Sequence, residues 1–225
     1  MGRRELAVPL TRPQVEAALQ LYRYCELWQS VDEALDSLAR SFPGFDFKST
    51  LLKAAAVNAL YWTQVYAVVE VARHMHRILE GAAAPLCPDL VESLGRVPGL
   101  GRKFRSFASK FAHFFIDPER FPIYDSYAVR MVTYHVEGKG KEGLSYEQFA
   151  TGFAALKKAA GFPATTRELD RYLWLAGQYR AWKGLPPWRR PSTGINPELQ
   201  RLFEAPSREV QALLEALLGR VEGCP

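Results

Sequence analysis

Residues 94–103 read LGRVPGLGRK, a stretch in which three glycines and a proline stand among three cations, directly before a run with helical spacing. Pro98 restricts Val97 to extended backbone, because a proline ring disfavours the α region for the residue before it. Gly99 and Gly101 accept positive φ and have no side chain that would obstruct a ligand. The stretch therefore predicts a sharp turn between two helices, with successive backbone N–H groups turned outward.

An anion fits such a turn, because backbone N–H groups at a helix N-terminus bind negative charge. The cations beside it make phosphate the expected anion. We predict that the phosphate-binding residues are Val97, Gly99, Gly101, Arg102 and Arg105. For this stretch alone, the alternative is a glycine-rich connection between helices whose cations are solvated.

Apolar residues recur at helical spacing along almost the whole chain, and glycine and proline collect between those segments. This pattern predicts an all-α protein. The predicted helices are Pro13–Ser41, Lys48–Glu80, Pro88–Gly95, Lys103–Ile116, Ser126–Glu137, Ser145–Ala160, Arg167–Trp182 and Pro197–Leu218. The last of them is predicted to break near Pro206, and residues 184–194 are predicted to interrupt the helical pattern before it.

The composition limits the class of protein. The chain has 29 basic and 24 acidic residues, and its formal net charge of +5 favours an anionic partner such as nucleic acid. Cys25, Cys87 and Cys224 are far apart and form no CxxC pair, which argues against a thiolate metal site and a disulfide framework. The N-terminus lacks the apolar core of a signal peptide, and the most apolar stretch is interrupted by polar residues. We expect a monomeric, cytoplasmic protein with no membrane partner.

Asp125 ends an apolar run in FPIYDSYAVRMV (121–132), where a new helix is predicted to begin. Aspartate is a good helix N-cap, because its carboxylate accepts hydrogen bonds from the first N–H groups and faces the positive end of the helix dipole. We therefore expect the carboxylate to stay ionised. Capping alone is a sufficient explanation for an aspartate at this position.

Together, VPGLGRK (97–103) and PIYDSYAVR (122–130) resemble the helix-hairpin-helix DNA glycosylase superfamily, which includes endonuclease III and the 8-oxoguanine glycosylases. Two flanking stretches are similar to core helices of that family, LLKAAAVNALYWTQ (51–64) to an early one and LDRYLWLAGQY (169–179) to a late one. The resemblance extends from about Leu51 to Tyr179.

The resemblance implies a two-lobed helical fold with the hairpin and Asp125 at the cleft between the lobes. Residues 1–47 and 164–225 would form the first lobe, and residues 48–163 the central lobe, with the helix-hairpin-helix motif at about 88–116. The implied partner is double-stranded DNA that contains a damaged base, repaired by base excision at a bacterial or archaeal nucleoid. An oxidised purine such as 8-oxoguanine is the favoured target.

The resemblance implies that Lys103 and Asp125 are catalytic. An ionised carboxylate stabilises the positive charge that develops on the sugar as the glycosidic bond breaks, and it can orient or deprotonate the nucleophile. A lysine that attacks the sugar C1′ forms a Schiff base and permits strand cleavage, which is AP lyase activity. Lys110 is the alternative nucleophile, because the interval from Lys103 to Asp125 is longer than the family's. On one helix the two lysines would point nearly the same way, and for each the alternative is a phosphate contact or a solvated cation.

Asn58, Tyr61 and Trp62 are the predicted lining of a pocket for the extruded base, because the early core helix faces the cleft in the family. For the two aromatic residues the alternative is packing in the core. No iron–sulfur cluster is expected, since only Cys224 lies near the C-terminus, where the family's cluster needs four cysteines. The resemblance allows a monovalent cation at the hairpin.

Other classes of function stay open. A non-catalytic helix-hairpin-helix module that only holds DNA would need the hairpin but not Asp125, and a helical scaffold that binds protein would need neither. A monofunctional glycosylase for an alkylated base or uracil would use water instead of lysine. No metal site is predicted, because His74 and His76 point to different sides of a helix, and His113 and His135 have no partners at ligand spacing.

Overall fold

The computed structural model describes residues 5–80, 86–186 and 195–219. These residues form eleven α-helices and no strand, which confirms the all-α prediction. The helices are α1 (Arg12–Tyr22), α2 (Glu26–Ser41), α3 (Phe47–Leu60), α4 (Val68–Glu80), α5 (Pro88–Gly95), α6 (Arg105–Phe115), α7 (Ser126–Glu137), α8 (Tyr146–Ala160), α9 (Thr166–Lys183), α10 (Pro197–Glu204) and α11 (Arg208–Leu217). Cys224, and residues 187–194 of the interruption predicted at 184–194, lie outside the described residues.

Helices α5 and α7 begin and end where the sequence predicts them. Proline occupies the first turn of α5. The side chain of Asp125 caps the start of α7, and Gly138, the C-cap residue, has a left-handed conformation with φ 77°. The break near Pro206 is also confirmed, since α10 ends at Glu204 and α11 begins at Arg208. At these boundaries the residue types themselves favour the start or the end of a helix, whatever the tertiary contacts are.

Two predicted long helices are wrong, because each is a pair of helices. Pro13–Ser41 is interrupted after Tyr22, where Tyr24 and Cys25 donate backbone hydrogen bonds three residues back, to Leu21 and Tyr22. The side chain of Cys25 is fully buried, so tertiary packing holds this break. Lys48–Glu80 is interrupted at 61–67, where Trp62 and Gln64 have positive φ. Neither break contains glycine or proline, so composition did not indicate it.

The described part of the chain forms two compact units. Unit 1 comprises the described residues within 1–29, 125–143 and 152–225, and unit 2 those within 30–124 and 144–151. The boundaries therefore pass through α2 and α8. The lobes predicted at 1–47 with 164–225, and at 48–163, stay a prediction.

In unit 1, α9 is the central helix and packs against α1, α7 and α11. Gly177 permits the close approach of α7, because a Cβ there would lie 2.8 Å from the Cβ of Tyr127 and 3.0 Å from its carbonyl oxygen. In unit 2, α3 packs against α4 and α6, and α5 packs against the same two helices. None of the described helices is both long and apolar enough to cross a bilayer.

A buried hydrogen-bond network ties the chain start to α7 and α9 in unit 1. His135 donates from Nδ1 to the carbonyl of Val8 at 2.9 Å, so its Nε2 is the acceptor for the hydroxyl of Tyr172 at 2.8 Å. Gln14 in turn donates to the Tyr172 oxygen at 3.3 Å. Burial lowers the pKa of His135 from its ordinary 6.5, the hydrogen bond to Val8 opposes that shift, and nearby Arg180 adds to it.

Protonation of His135 is expected to destabilise the protein at mildly acidic pH. Because the folded-state pKa is lowered, the unfolded chain takes up the proton first as pH falls below about 6.5. This group's contribution is therefore complete above that pH and is lost as pH falls through the folded-state pKa. Urea unfolding of the wild type and of His135→Gln at pH values from about 8 to about 5, on both sides of the ordinary histidine pKa, measures the difference in unfolding free energy. A difference in unfolding free energy that does not shrink on acidification would contradict this.

Candidate functional site

The LGRVPGLGRK stretch forms a tight turn between α5 and α6, which we call the α5–α6 turn (residues 96–104). The N–H of Leu100 donates to the carbonyl of Val97 at 3.2 Å, and Gly99 has a φ of 80°. Proline followed by a glycine of positive φ at the two central positions defines a type II turn. A second bond, from Phe104 N–H to the Gly95 carbonyl at 2.9 Å, joins the two ends of the stretch.

Gly95 lets the end of α5 meet the start of α6. A Cβ at this position would lie 3.2 Å from the carbonyl carbon of Phe104 and 3.4 Å from the Cβ of Ala108. A larger residue would therefore crowd the Phe104 backbone, so glycine suits this crossing, and Phe104 itself is buried. The crossing fixes the direction in which the α5–α6 turn faces solvent.

The outer surface of the α5–α6 turn is open. A Cβ at Gly99 or Gly101 would have no heavy atom within 4 Å. Arg102 and Lys103 are exposed, and Phe104, the N-cap residue of α6, makes no side-chain capping bond. The surface over Gly99 and Gly101 is therefore open, and the first N–H groups of α6 have no side-chain cap, whereas the N–H groups of Leu100 and Phe104 already donate to carbonyls within the stretch.

Lys103 lines a groove of about 660 Å³ in unit 2 whose walls carry both signs of charge. Its acidic residues are Asp89, Glu92 and Glu147, and its basic ones include Arg96 and Arg105. Lys103 is thus an exposed cation in a mixed electrostatic field. It precedes α6, so the prediction that Lys103 and Lys110 lie on one helix is wrong.

Glu92 organises the groove. Its Oε1 accepts hydrogen bonds from Arg105 Nε at 2.6 Å and from the Tyr146 N–H at 2.9 Å. Burial alone would raise the pKa of Glu92, but the Tyr146 N–H, Arg105 and the charge of Lys103 outweigh it and hold the pKa below its usual value. Glu92 is therefore an ionised anchor between α5, α6 and the start of α8.

The predicted phosphate-binding residues differ in availability. Gly99, Gly101 and Arg102 are exposed. The side chain of Val97 is buried, and its carbonyl closes the turn. Arg105 is bound to Glu92, and its side chain is 26% exposed. A phosphate contact by Arg105 would have to compete with that ion pair.

Lys110 has surroundings unlike those of Lys103. Its residue is only 6% exposed, and its Nζ donates to the Ser106 hydroxyl at 2.7 Å and to the Ser106 carbonyl at 3.4 Å. The ring of Tyr61 lies over Nζ, with 5.3 Å between Nζ and the ring centroid. The structure thus shows that Lys103, the predicted nucleophile, is exposed and that Lys110, the alternative, is covered.

Tyr61 is held at the end of α3 by partners on two other helices. Its hydroxyl donates to Oδ1 of Asp32, on α2, at 3.3 Å. Its ring packs against that of Phe114, on α6, with 5.9 Å between centroids. Sequence reasoning missed Asp32, which is buried near the fully buried Leu35 in the amphipathic helix α2.

Asn58 holds the 61–67 loop that follows α3. Its side-chain oxygen accepts from the Thr63 hydroxyl at 2.8 Å and the Val65 N–H at 2.9 Å, and its side-chain nitrogen donates to the Val65 carbonyl at 3.0 Å. Trp62, within this loop, has a φ of 46° and is 72% exposed. Packing of Trp62 in the core, the alternative to a place in the base pocket, is therefore wrong. A base pocket formed by Asn58, Tyr61 and Trp62 stays a prediction.

Asp125 belongs to unit 1 and caps α7. Its Oδ1 accepts from the N–H of Ala128 at 2.8 Å, in the N-cap geometry that the sequence predicts. The residue as a whole is partly exposed. The capping bond orients the carboxylate, and a catalytic role stays a prediction.

Unit 2 contains a second buried cation besides Lys110. It is Lys53, which sequence reasoning missed. It is 1% exposed, donates to the Gly44 carbonyl at 2.8 Å, and lies 4.3 Å from the centroid of the Phe45 ring. Burial lowers its pKa, and the charge of Asp46 opposes that effect. The available signal was a lysine within the apolar run LLKAAAV.

All four histidines bond a backbone carbonyl. The pairs are His74 with Ser93, His76 with Phe45, His113 with Phe121 and His135 with Val8, at 2.9 to 3.0 Å. Within the ranges 5–80, 86–186 and 195–219, no three His, Cys, Asp or Glu side chains are grouped so that they could hold a metal ion.

The known proteins that this chain is similar to have no activity assigned to them. The family model HI_0787_N, described as an N-terminal domain, matches residues 14–120, which include the α5–α6 turn and both lysines. An uncharacterized protein of Haemophilus influenzae is 31% identical over 131 residues, which cover 54% of this chain and 62% of that protein. The chain thus spans less than two thirds of that relative's length. No solved structure matches the chain.

Proposed function

We propose that this protein is a DNA repair glycosylase that binds duplex DNA through the α5–α6 turn and removes a damaged base, with an oxidised purine as the favoured target. The turn would act as the hairpin of a helix-hairpin-helix motif. Strand cleavage through a lysine Schiff base would follow base removal. The site of action would be the bacterial or archaeal nucleoid.

The geometry of the α5–α6 turn is the observation that carries this proposal. A type II turn leads into a helix start without a side-chain cap, the space around Gly99 and Gly101 is open, and Arg102 and Lys103 are exposed beside it. A phosphate diester supplies the acceptor oxygens and negative charge that such a surface lacks. Contacts of this kind are independent of base sequence and weaken as salt rises.

Asp125 is the proposed carboxylate of the reaction. Cleavage of the bond between base and sugar leaves positive charge on the sugar, which an oriented and ionised carboxylate stabilises. The capping bond from Ala128 supplies the orientation. The base leaves with the bonding electron pair and is protonated, while water or a lysine amine bonds to C1′.

A panel of duplexes tests the proposal, each with one lesion: an oxidised purine, an alkylated base or uracil. We expect base release from at least one of them, and the oxidised purine is the first choice. Release of an alkylated base or uracil without strand cleavage would indicate a monofunctional enzyme. Duplex binding without release from any lesion would favour a non-catalytic DNA-binding module, a role that also fits the exposure of Lys103.

Gly101→Val is expected to weaken binding to duplexes of any sequence by about tenfold, because the new side chain blocks a charge-assisted hydrogen bond from backbone to phosphate. Gly101 suits this test better than Gly99. Its φ lies outside the left-handed region and a Cβ there meets no neighbour, so the fold should tolerate valine. Titration of labelled duplex at several salt concentrations measures the effect. Gly44→Val, at another exposed glycine of unit 2, is the matched control, and unchanged affinity of Gly101→Val would count against a phosphate site here.

A further inference from the structure

We infer that Tyr61 covers and positions the amine of Lys110, and that Asp32 acts through the Tyr61 hydroxyl to keep this cover closed. The inference rests on the proposed function, in which Lys110 is one of two amines that can form a Schiff base. Tyr61 and Asp32 are positioning residues here, because neither is assigned a contact with the reacting atoms.

The first support is the restricted position of the Lys110 amine. Its hydrogen bonds to the hydroxyl and carbonyl of Ser106 hold Nζ against its own helix, one turn back. A lysine side chain ordinarily has several accessible rotamers, and this one is 6% exposed. The amine is therefore fixed within α6 and shielded from water.

The second support is the ring that lies over this amine. The 5.3 Å between Nζ and the Tyr61 centroid is within the range of a cation–π contact. Phe114 packs against the same ring and limits its movement. Anything that reacts with the amine from that side must first displace the Tyr61 ring.

The third support is the anchoring of Tyr61. Its hydroxyl donates to the buried carboxylate of Asp32 at 3.3 Å. The residue is also the C-cap of α3, and the loop that follows is held by the three hydrogen bonds of Asn58. Backbone and hydroxyl thus fix the ring from two ends, so loss of the Asp32 contact frees one end only.

A covered amine has a clear chemical consequence. To form a Schiff base, the neutral amine attacks a carbonyl carbon with its lone pair, and the carbonyl oxygen leaves as water. The closed cover would protect Lys110 from small aldehydes and would open when a bound substrate displaces Tyr61. Lys103, exposed in the groove, has no such protection.

Reductive methylation of the full chain tests this without DNA. Formaldehyde forms an imine with each accessible amine, cyanoborohydride reduces it to a methylamine, and peptide mass spectrometry gives the rate at every lysine. In the wild type we expect Lys110 to react at least about tenfold more slowly than Lys103, because reaction requires local opening. Equal rates for the two lysines would overturn the inference.

Variants separate the cover from its anchor. Tyr61→Ala should bring the Lys110 rate close to that of Lys103. Tyr61→Phe and Asp32→Ala should each raise it about fivefold, the factor that one hydrogen bond of ordinary strength supplies. The double variant should show no further increase if both changes remove the same contact. Additive effects, or no effect of either single change, would overturn the role of Asp32.

Lys53 is the internal control for general loosening of unit 2. It is buried in the same unit, against Phe45 and Phe115. If the variants accelerate Lys110 while Lys53 stays slow, Tyr61 is a specific cover; if both accelerate equally, the inference fails. Tyr66→Ala, at a 94% exposed tyrosine of the same loop, should change neither rate. If no lesion duplex released its base, the glycosylase proposal would be wrong, whereas the methylation rates expected for Lys110 would be unchanged.

Discussion

Asp125→Asn is expected to lower the rate of base release by about 10²- to 10⁴-fold while leaving the free energy of unfolding nearly unchanged. Asparagine is as good an N-cap as aspartate, and its side-chain oxygen can accept the same bond from Ala128. The substitution therefore removes the charge and keeps the cap. Single-turnover release from the preferred lesion duplex measures the rate, and urea unfolding measures the stability.

Asp125→Ala is the complementary variant, because it removes both the charge and the capping oxygen. We expect the same loss of base release together with a loss of about 1 kcal/mol in unfolding free energy. If Asp125→Asn released base at the wild-type rate, Asp125 would be a structural cap only. Duplex affinity should change little in either variant, since phosphate binding is assigned to the α5–α6 turn.

The parts of the fold that the sequence predicted are those with local causes. Proline at the start of α5, the Asp125 cap of α7 and the left-handed Gly138 at its end act through their own backbone preferences. The interruption at 61–67 has another kind of cause. Asn58 replaces helical hydrogen bonds with side-chain bonds, and Trp62 and Gln64 take a backbone conformation that their residue types disfavour. Such a break depends on contacts that a propensity pattern does not contain.

The candidate site divides in the same way. Pro98 and Gly99 predicted the turn, because its conformation follows from those residue types. The contrast between Lys103 and Lys110 was not predictable, because it depends on α6 beginning at Arg105 and on Tyr61 arriving from another helix. A difference of two residues in a helix start decides whether Lys103 is in the helix or in the turn. Burial of Asp32 likewise follows from tertiary packing.

The second prediction concerns the nucleophile. Borohydride is expected to trap a covalent complex between the wild-type protein and lesion-bearing duplex, because it reduces the Schiff base between a lysine and the sugar C1′. Replacement of the responsible lysine by glutamine should reduce trapping to background. Lys103 is the first candidate, because it directly follows PGLGR (98–102). The lysine of the helix-hairpin-helix DNA glycosylases, which this stretch resembles, follows the corresponding element. Lys48→Gln, at an exposed lysine elsewhere in unit 2, is the matched control and should trap as the wild type does.

The two lysine substitutions are expected to change duplex affinity differently, and this difference helps to interpret the trapping result. Lys103→Gln removes an exposed cation, so duplex affinity should also fall and depend less steeply on salt. Lys110→Gln removes an amine that is buried under Tyr61, so affinity should stay close to that of the wild type. Trapping that survives Lys103→Gln and disappears in Lys110→Gln would assign the Schiff base to the covered amine. If the wild type traps nothing, yet Asp125→Asn still abolishes base release, water is the nucleophile and Lys103 serves as a phosphate contact.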